Sequence, residues 1–269
     1  MRTSAADDRR PGYLVLSDLA AGYSRVAIIR NISMTVGRGE VVTVIGPNGS
    51  GKSTLVKSIM GVLVAMEGEV RLDQKPLTGL RADQVARVGI GYVPQVRDVF
   101  EPLTVKENLE MGATSLPRRA IAERVEGVLA AYPQLAGLLR RQAGKLSGGE
   151  RKMLAIGRVL MTEPSVVILD EPTAGLSPKL ATQLLETYVS GLAGRGAAVL
   201  LVEQRARQAL RIADFAYVMA AGEIKIASPA AELLARDDLG QVFLGRGGTQ
   251  TNQGTGQTTQ HQPGGERAR

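Results

Sequence analysis

The chain contains no cysteine and no tryptophan, and only 3% of its 269 residues are aromatic. Without cysteine there is no disulfide framework and no thiolate-bound zinc, which suits a reducing compartment. No basic run is interleaved with stacking residues, so nucleic acid is not expected as a partner despite a net charge of +7. That charge is spread out: residues 1–12 carry +1 and residues 245–269 carry +2, leaving +4 on the body. Some attraction to an anionic membrane surface is compatible with it. Long apolar runs are also missing, and none approaches the 18 residues that a membrane-spanning helix needs. The opening MRTSAADDRRPGY has acids and no apolar stretch, unlike a secretory signal, so the expected compartment is the cytoplasm. Histidine is reduced to His261, in a polar tail where no role is expected.

What is present is an ordinary 44% hydrophobic content, enough for a sizeable core, and three motifs that carry chemistry. The first is GPNGSGKST, in which Gly46, Gly51, Lys52 and Ser53 satisfy G-x-x-x-x-G-K-[ST] directly after the apolar run Val41 to Ile45. A strand, a glycine-rich turn and a helix beginning near Gly51 aim successive N–H groups and a positive helix end at one anion. Gly46, Pro47, Asn48, Gly49, Ser50 and Gly51 would form that cradle. Lys52 would reach the β- and γ-phosphates of a nucleotide, Ser53 would offer its hydroxyl to Mg²⁺, and Thr54 would add a phosphate contact.

The second motif is the apolar run Val166 to Leu169 followed by Asp170 and Glu171. Such a run suits a parallel strand covered on both faces, and its carboxylates emerge at the C-terminal edge where open α/β sheets bind ligands. Asp170 is expected to hold Mg²⁺ through water, and Glu171 to accept a proton from an attacking water. An acidic helix-capping pair before Pro172 is the alternative. The third motif is LSGGE, where Ser147, Gly148 and Gly149 precede an amphipathic stretch from Glu150 to Met161. A hydroxyl and bare amides at a second helix N-terminus make a second anion-seeking surface.

Between these motifs the pattern alternates. Short apolar runs from Leu14 to Asp73, with a turn at Gly39-Glu40, suggest strands around the phosphate-loop helix. From about Arg97 to Gly144 the period becomes helical. Thr104 is placed to cap a helix running to Met111, and Arg118 to Ala131 carries Ile121, Val125, Val128 and Leu129 at helical spacing. Pro178 opens a helix with Leu180, Leu184, Leu185, Tyr188, Val189 and Leu192 on one face. A strand Ala197 to Val202, a helix Ala206 to Ile212 and a strand Phe215 to Met219 complete an α/β pattern. The segment from Gly245 onward is nearly all Gly, Thr, Gln and charge, a composition expected to stay disordered.

The three motifs together resemble the ATP-binding cassette (ABC) ATPase family, whose signature string is LSGGE, over nearly everything from Tyr13 to Leu244. The resemblance implies an α/β P-loop core with a mostly parallel sheet, an antiparallel β portion and an inserted helical subdomain. Its expected limits are a flexible 1–12, a core of 13–96 and 155–244, a helical arm of about 97–154 and a disordered tail of 245–269. ATP and Mg²⁺ are the implied cofactors. Two cassettes are expected head to tail, each ATP between one phosphate loop and the other subunit's LSGGE.

Further residues match the same pattern. Tyr23 stands where the family stacks an aromatic on adenine; a strand-end tyrosine half buried in the core is the alternative. Gln95, in GYVPQ, matches a glutamine that touches Mg²⁺ and water, with a plain surface amide as the alternative. Ala174, Gly175, Leu176 and Ser177 fall where a loop crosses to the opposite subunit, though the string differs from the usual one. After the strand at 197–202, LVEQ places Gln204 where the family normally has a γ-phosphate-contacting histidine. That glutamine, with KMLAIGRVLM and VEQRARQALRIAD, is similar to the second ATP-binding subunit of branched-chain amino-acid importers and of related urea and amide systems.

The branch implies two integral membrane permease subunits, a second ATP-binding subunit, an external solute-binding protein, and a peripheral place on the cytoplasmic face of the inner membrane. Arg97 to Phe100 would form part of the groove for a permease helix, or else an ordinary solvated loop. A soluble ABC ATPase acting on a nucleoprotein is the competing class. The single cassette and the short spacing from Lys52 to Ser147, with no room for a long coiled coil, speak against it, while intact Lys52, Asp170 and Glu171 speak against a module that does not hydrolyse.

Overall fold

A computed structural model describes residues 12–236 apart from positions 25 and 115. The first eleven residues and the tail that holds His261 lie outside the described residues, so the expectations for 1–12 and 245–269 fall almost wholly there. Two sheets form the body. β1 (Gly12–Tyr23), β2 (Val26–Gly37), β4 (Ala65–Leu72) and β5 (Lys75–Pro76) make an antiparallel sheet in the order β2-β1-β4-β5. β3 (Val41–Ile45), β6 (Ile90–Val93), β7 (Val166–Asp170), β8 (Ala198–Glu203), β9 (Phe215–Ala220) and β10 (Glu223–Pro229) make the other, in the order β10-β9-β3-β8-β7-β6. Within it β9, β3, β8, β7 and β6 pair in parallel and β10 is antiparallel to β9.

The parallel strands read as unbroken apolar runs because both faces are covered. Side chains alternate across a strand, so Val42 and Val44 pack with the antiparallel sheet and α1 (Lys52–Ile59), while Val41 and Ile45 pack with the helices on the other face. Ile168 and Leu200 follow the first set, Leu169 and Leu201 the second. α2 (Ala82–Arg87) leads into β6, with its Val85 in the first cluster.

The helical arm holds α3 (Val105–Gly112), α4 (Arg118–Ala131) and α5 (Gly148–Leu160). Thr104 caps α3 as expected: its hydroxyl accepts from the Glu107 N–H while Glu107 reaches back to the Thr104 N–H at 2.7 Å. Asn108, fully buried on α3, accepts the Phe100 N–H at 2.7 Å and donates to the Phe100 and Thr104 carbonyls. A loop that would otherwise strand these groups is thereby closed. α5 runs without a break through position 154, so one helix carries LSGGE at its head and reaches the sheet at its foot.

Three local readings change. The helix from Pro178 consists of α6 (Pro178–Gln183), a wider π segment at Leu184–Val189 and α7 (Ser190–Gly194). Leu184, Leu185, Tyr188, Val189 and Leu192 are buried, but Leu180, in the first turn, is 40% exposed and packs over Gly149 of α5 and not in the core. The strand expected at 197–202 is shifted to 198–203, which puts Gln204 directly after its last residue. α5 begins at Gly148 rather than Glu150. A short helix α8 (Ala206–Leu210) links β8 to β9, and α9 (Ala230–Leu234) follows β10 near the end of the described residues. No helix among the described residues is long and apolar enough to cross a membrane.

Candidate active site

Strand register gathers the site. Ile45 lies opposite Glu203, and Asp170 opposite Val202, so the segments after β3, β7 and β8 leave the sheet at one edge, joined by the loop after β6. The phosphate loop follows β3 at this edge. Gly46 has no room for a side chain, since a Cβ there would lie 2.3 Å from the Met219 carbonyl. Gly51 turns the chain into α1 at φ 102°, a left-handed value that favours glycine. Pro47, Asn48 and Gly49 are exposed, Ser53 is exposed on the first turn of α1, and Thr54 is buried. The Ser50 hydroxyl is buried without a hydrogen-bond partner among the described residues, as expected of a loop built to receive further polar groups.

Lys52 is 5% exposed; its ammonium donates to the carbonyls of Gly46 and Pro47 at 2.9 and 3.0 Å and sits 3.6 Å from Glu171 Oε1. Glu171 itself has φ 46°, a strained value for a residue with a side chain, and its N–H donates to the Val202 carbonyl at 2.8 Å. The twist separates its carboxylate from that of Asp170. Three side chains converge on it. Gln204 Nε2 donates to both Glu171 oxygens at 2.8 Å, Gln95 Nε2 donates to Oε2 at 2.8 Å, and Lys52 supplies the positive charge. Gln95, Lys52, Glu171 and Gln204, four residues from four segments, therefore meet at one carboxylate.

Asp170 faces a different neighbour. The Tyr92 hydroxyl donates to its Oδ2 at 3.2 Å. Burial raises the Asp170 pKa, opposed by that hydrogen bond and by Lys52 and reinforced by the charge of Glu171. The same burial, with Asp170 beside it, pushes the Tyr92 phenol upward. Oxygen atoms of Ser53, Asp170 and Gln95 fit a hard cation such as Mg²⁺, which prefers oxygen ligands, is bound through one or two carboxylates and fills its other positions with phosphates and water. Among the described residues no group of three His, Cys, Asp or Glu could hold a metal by itself.

Ser147 caps α5: its hydroxyl accepts from the Glu150 N–H, and Glu150 accepts the Ser147 N–H at 2.7 Å. That bond holds the Glu150 carboxyl below its ordinary range. Ser147 and Gly148 remain exposed. Within this single chain they do not join the Lys52 cluster. Tyr23, at the end of β1, is 49% exposed and belongs to neither core, and Lys57 donates to its hydroxyl at 3.1 Å.

Two residues escaped the sequence reading. Tyr92 sits three places before Gln95 on β6, and pairing of β6 with β7 brings it to Asp170. Glu203 is 2% exposed and accepts the N–H groups of Thr173 and Gln204 at 3.0 and 3.2 Å, which ties the start of the 174–177 loop to the segment of Gln204. Burial raises its pKa against those hydrogen bonds. An acid ending an apolar strand beside another acid-ended strand was the available signal.

A phosphate loop, paired acids at a parallel sheet edge and a capped glycine-led helix on an inserted arm define a nucleotide-hydrolysing cassette. The ABC transporter family model matches residues 29–174, and the chain belongs to that family. It is 38% identical to the probable branched-chain amino acid transport ATP-binding protein LivF of Archaeoglobus fulgidus, over 84% of this chain and 96% of the relative. Identity is 40% to the high-affinity branched-chain amino acid transport ATP-binding protein BraG of Pseudomonas aeruginosa, over 83% and 95%. The lipopolysaccharide export system ATP-binding protein LptB of Acidithiobacillus ferridurans is 32% identical over 86% and 96%. The ADP conformation of MJ1267, an ATP-binding cassette of an ABC transporter, superposes with a TM-score of 0.79 at 30% identity, covering 87% of this chain and 99% of that one. The family binds ATP and ADP, and the activity of the chain is ATP hydrolysis. The relatives are named as ATP-binding proteins of transport and export systems.

Proposed function

We propose that the chain is the ATP-hydrolysing subunit of an importer for branched-chain or related amino acids and amides, seated on the cytoplasmic face of the inner membrane. The observation that carries this reading is the higher identity to the branched-chain transport relatives than to the lipopolysaccharide export relative. Its partners are a second cassette, two permeases and an external solute-binding protein. Exposed Val96 and Phe100, beside α3, belong to the surface we assign to a permease helix.

In hydrolysis, Gly46 to Thr54 and Lys52 hold and neutralise the phosphates, with Tyr23 against the adenine. Glu171 takes a proton from water as the water oxygen bonds to the γ-phosphorus and the bond to the ADP oxygen breaks. Gln95 and Gln204 orient that carboxylate and the water. Ser53 and Asp170, with Gln95, would hold Mg²⁺, which would neutralise phosphate charge when bound. Ser147, Gly148 and Gly149 serve the nucleotide of the opposite subunit. We assign 13–96 and 155–244 to the core, of which 237–244 lie outside the described residues, and 97–154 to the arm.

The test is uptake in a strain lacking this chain. Labelled leucine uptake is expected to fall and to return with the wild type but not with Lys52→Ala. A loss confined to urea selects the urea alternative, and unchanged uptake of leucine, other amino acids, short-chain amides and urea sinks the import reading.

A further inference from the structure

Lys152 is an improbable residue for its position. It lies on α5, five residues after Ser147, with its side chain 8% exposed, and it faces Asp98, whose side chain is 5% exposed. Their charged atoms are 2.7 Å apart, a close ion pair rather than an aligned hydrogen bond. Burying two charges costs more than burying two apolar side chains, and such pairs are often replaced by apolar residues without loss of stability. Stability alone therefore gives little reason for the pair.

The same ammonium supplies another reason. Lys152 Nζ also donates to the main-chain carbonyl of Gln95 at 3.0 Å. Gln95 is the residue whose side-chain amide grips Glu171. Between Gln95 and Asp98 the chain reverses at Arg97, whose φ of 55° is left-handed, and this turn brings a carbonyl and a carboxylate onto one cation. Two more cations of α5 hold the continuation of the loop: Arg151 pairs with Glu101 at 2.8 Å, and the Arg158 guanidinium lies 4.9 Å from the Phe100 ring centre. Both of these contacts are more exposed than the Lys152 site, and neither touches Gln95.

We propose that Lys152 is a positioning residue for hydrolysis: clamped by Asp98, its ammonium fixes the Gln95 carbonyl, and through it the amide that orients Glu171. The path is continuous. Glu171 Oε2 meets Gln95 Nε2 at 2.8 Å, the Gln95 carbonyl meets Lys152 at 3.0 Å, and Lys152 stands on the helix that Ser147 caps. The head of α5 and the loop bearing Gln95 thus move as one unit. This inference rests on the assignment of Glu171 and Gln95 to hydrolysis. Glu171→Gln is the separate control, since turnover by that variant would overturn the assignment itself.

The decisive variant replaces both charges at once, Lys152→Met with Asp98→Leu, because Lys152→Met alone leaves the buried Asp98 carboxylate with only the more distant charge of Arg158 to face it and is expected to fold poorly. The full-length double variant is expected to fold and to melt near the wild-type Tm, the apolar pair offsetting the loss of the charge that Asp98 presents to Arg158. Its amide hydrogen exchange across residues 95–101 is expected to be at least tenfold faster without nucleotide, and its kcat at least tenfold lower with KM for MgATP within threefold. Lys152→Arg, which keeps the cation, is expected to retain most of kcat. A folded double variant with wild-type kcat overturns the proposal. So does a defect confined to KM, since the clamp would then be shaping nucleotide binding rather than the hydrolytic amide.

Discussion

Gln204 donates its single amide nitrogen to both carboxylate oxygens of Glu171, at 2.8 Å each. The position at which the family resemblance leads one to expect a histidine is thus filled by a side chain that makes the contact without titrating. Gln204→Ala removes this donor and is expected to lower kcat by ~10²-fold, as for other preorganised donors at a reacting centre. Gln204→His is expected to keep activity but to gain a pH dependence near the imidazole pKa of about 6.5. Turnover at saturating MgATP across the neutral range checks both. Wild-type turnover in Gln204→Ala would remove Gln204 from the mechanism.

Asn108 is the structural counterpart on the arm. Its side chain satisfies the Phe100 N–H and the carbonyls of Phe100 and Thr104 from a fully buried position. Asn108→Ala leaves those groups to find water at a loop end, and is expected to cost about 2–3 kcal/mol. Urea unfolding of the full chain measures it. A change under about 0.5 kcal/mol would show that the loop closes without the amide.

The motifs were legible because each is short, and its chemistry is set by local backbone: a glycine where a Cβ strikes Met219, a serine capping α5, an acid ending β7. Element positions also followed from the sequence where the period was clean, as in α4, found at Arg118–Ala131. What failed was set by distant partners. The π segment at Leu184–Val189 leaves no mark in apolar spacing, and Leu180 packs over Gly149 at the head of α5 and not in the core with the rest of its face. Tyr92, Glu203 and the Lys152–Asp98 pair become visible only once the strand order β8-β7-β6 and the path of α5 are known. Lysine in an amphipathic stretch reads as solvated, and nothing local marks it as buried.

Glu203 gives a prediction of opposite sign to the usual carboxylate. Its pKa is raised by burial, so its contribution to stability is fully present below the ordinary carboxylate range, about 4, and is lost as pH rises through the raised folded value. Glu203→Gln does not titrate. The amide keeps one acceptor for the Thr173 and Gln204 N–H groups, so the variant differs by a fixed penalty plus a pH-dependent term. Compared by urea midpoint, the wild type is expected to lose ground against the variant as pH rises from about 4 towards neutrality. The reverse trend would show that the two N–H donors outweigh burial.

The last prediction concerns the division of labour between Lys52 and Ser147, which do not meet within one chain. If each Ser147 serves the opposite nucleotide, Ser147→Arg blocks the site whose phosphate loop belongs to the partner, and Lys52→Ala blocks the site of its own chain. Pairing one Ser147→Arg chain with one Lys52→Ala chain then places both defects at a single site and leaves the other intact. Each variant by itself, paired with its own kind, is expected to be nearly inactive, whereas the mixed pair recovers up to about half of the wild-type rate where the sites fire independently. Placing Glu171→Gln in both chains stops turnover while keeping ATP-dependent pairing, since the amide holds the carboxylate's shape but takes no proton. Gel filtration with MgATP reads the pairing and phosphate release reads the sites. A mixed pair as dead as its parents would mean that Ser147 and Lys52 act on the same nucleotide from the same chain, or that one damaged site silences both. The Glu171→Gln chain distinguishes these: paired with wild type, it leaves an independent site turning over and silences a coupled one.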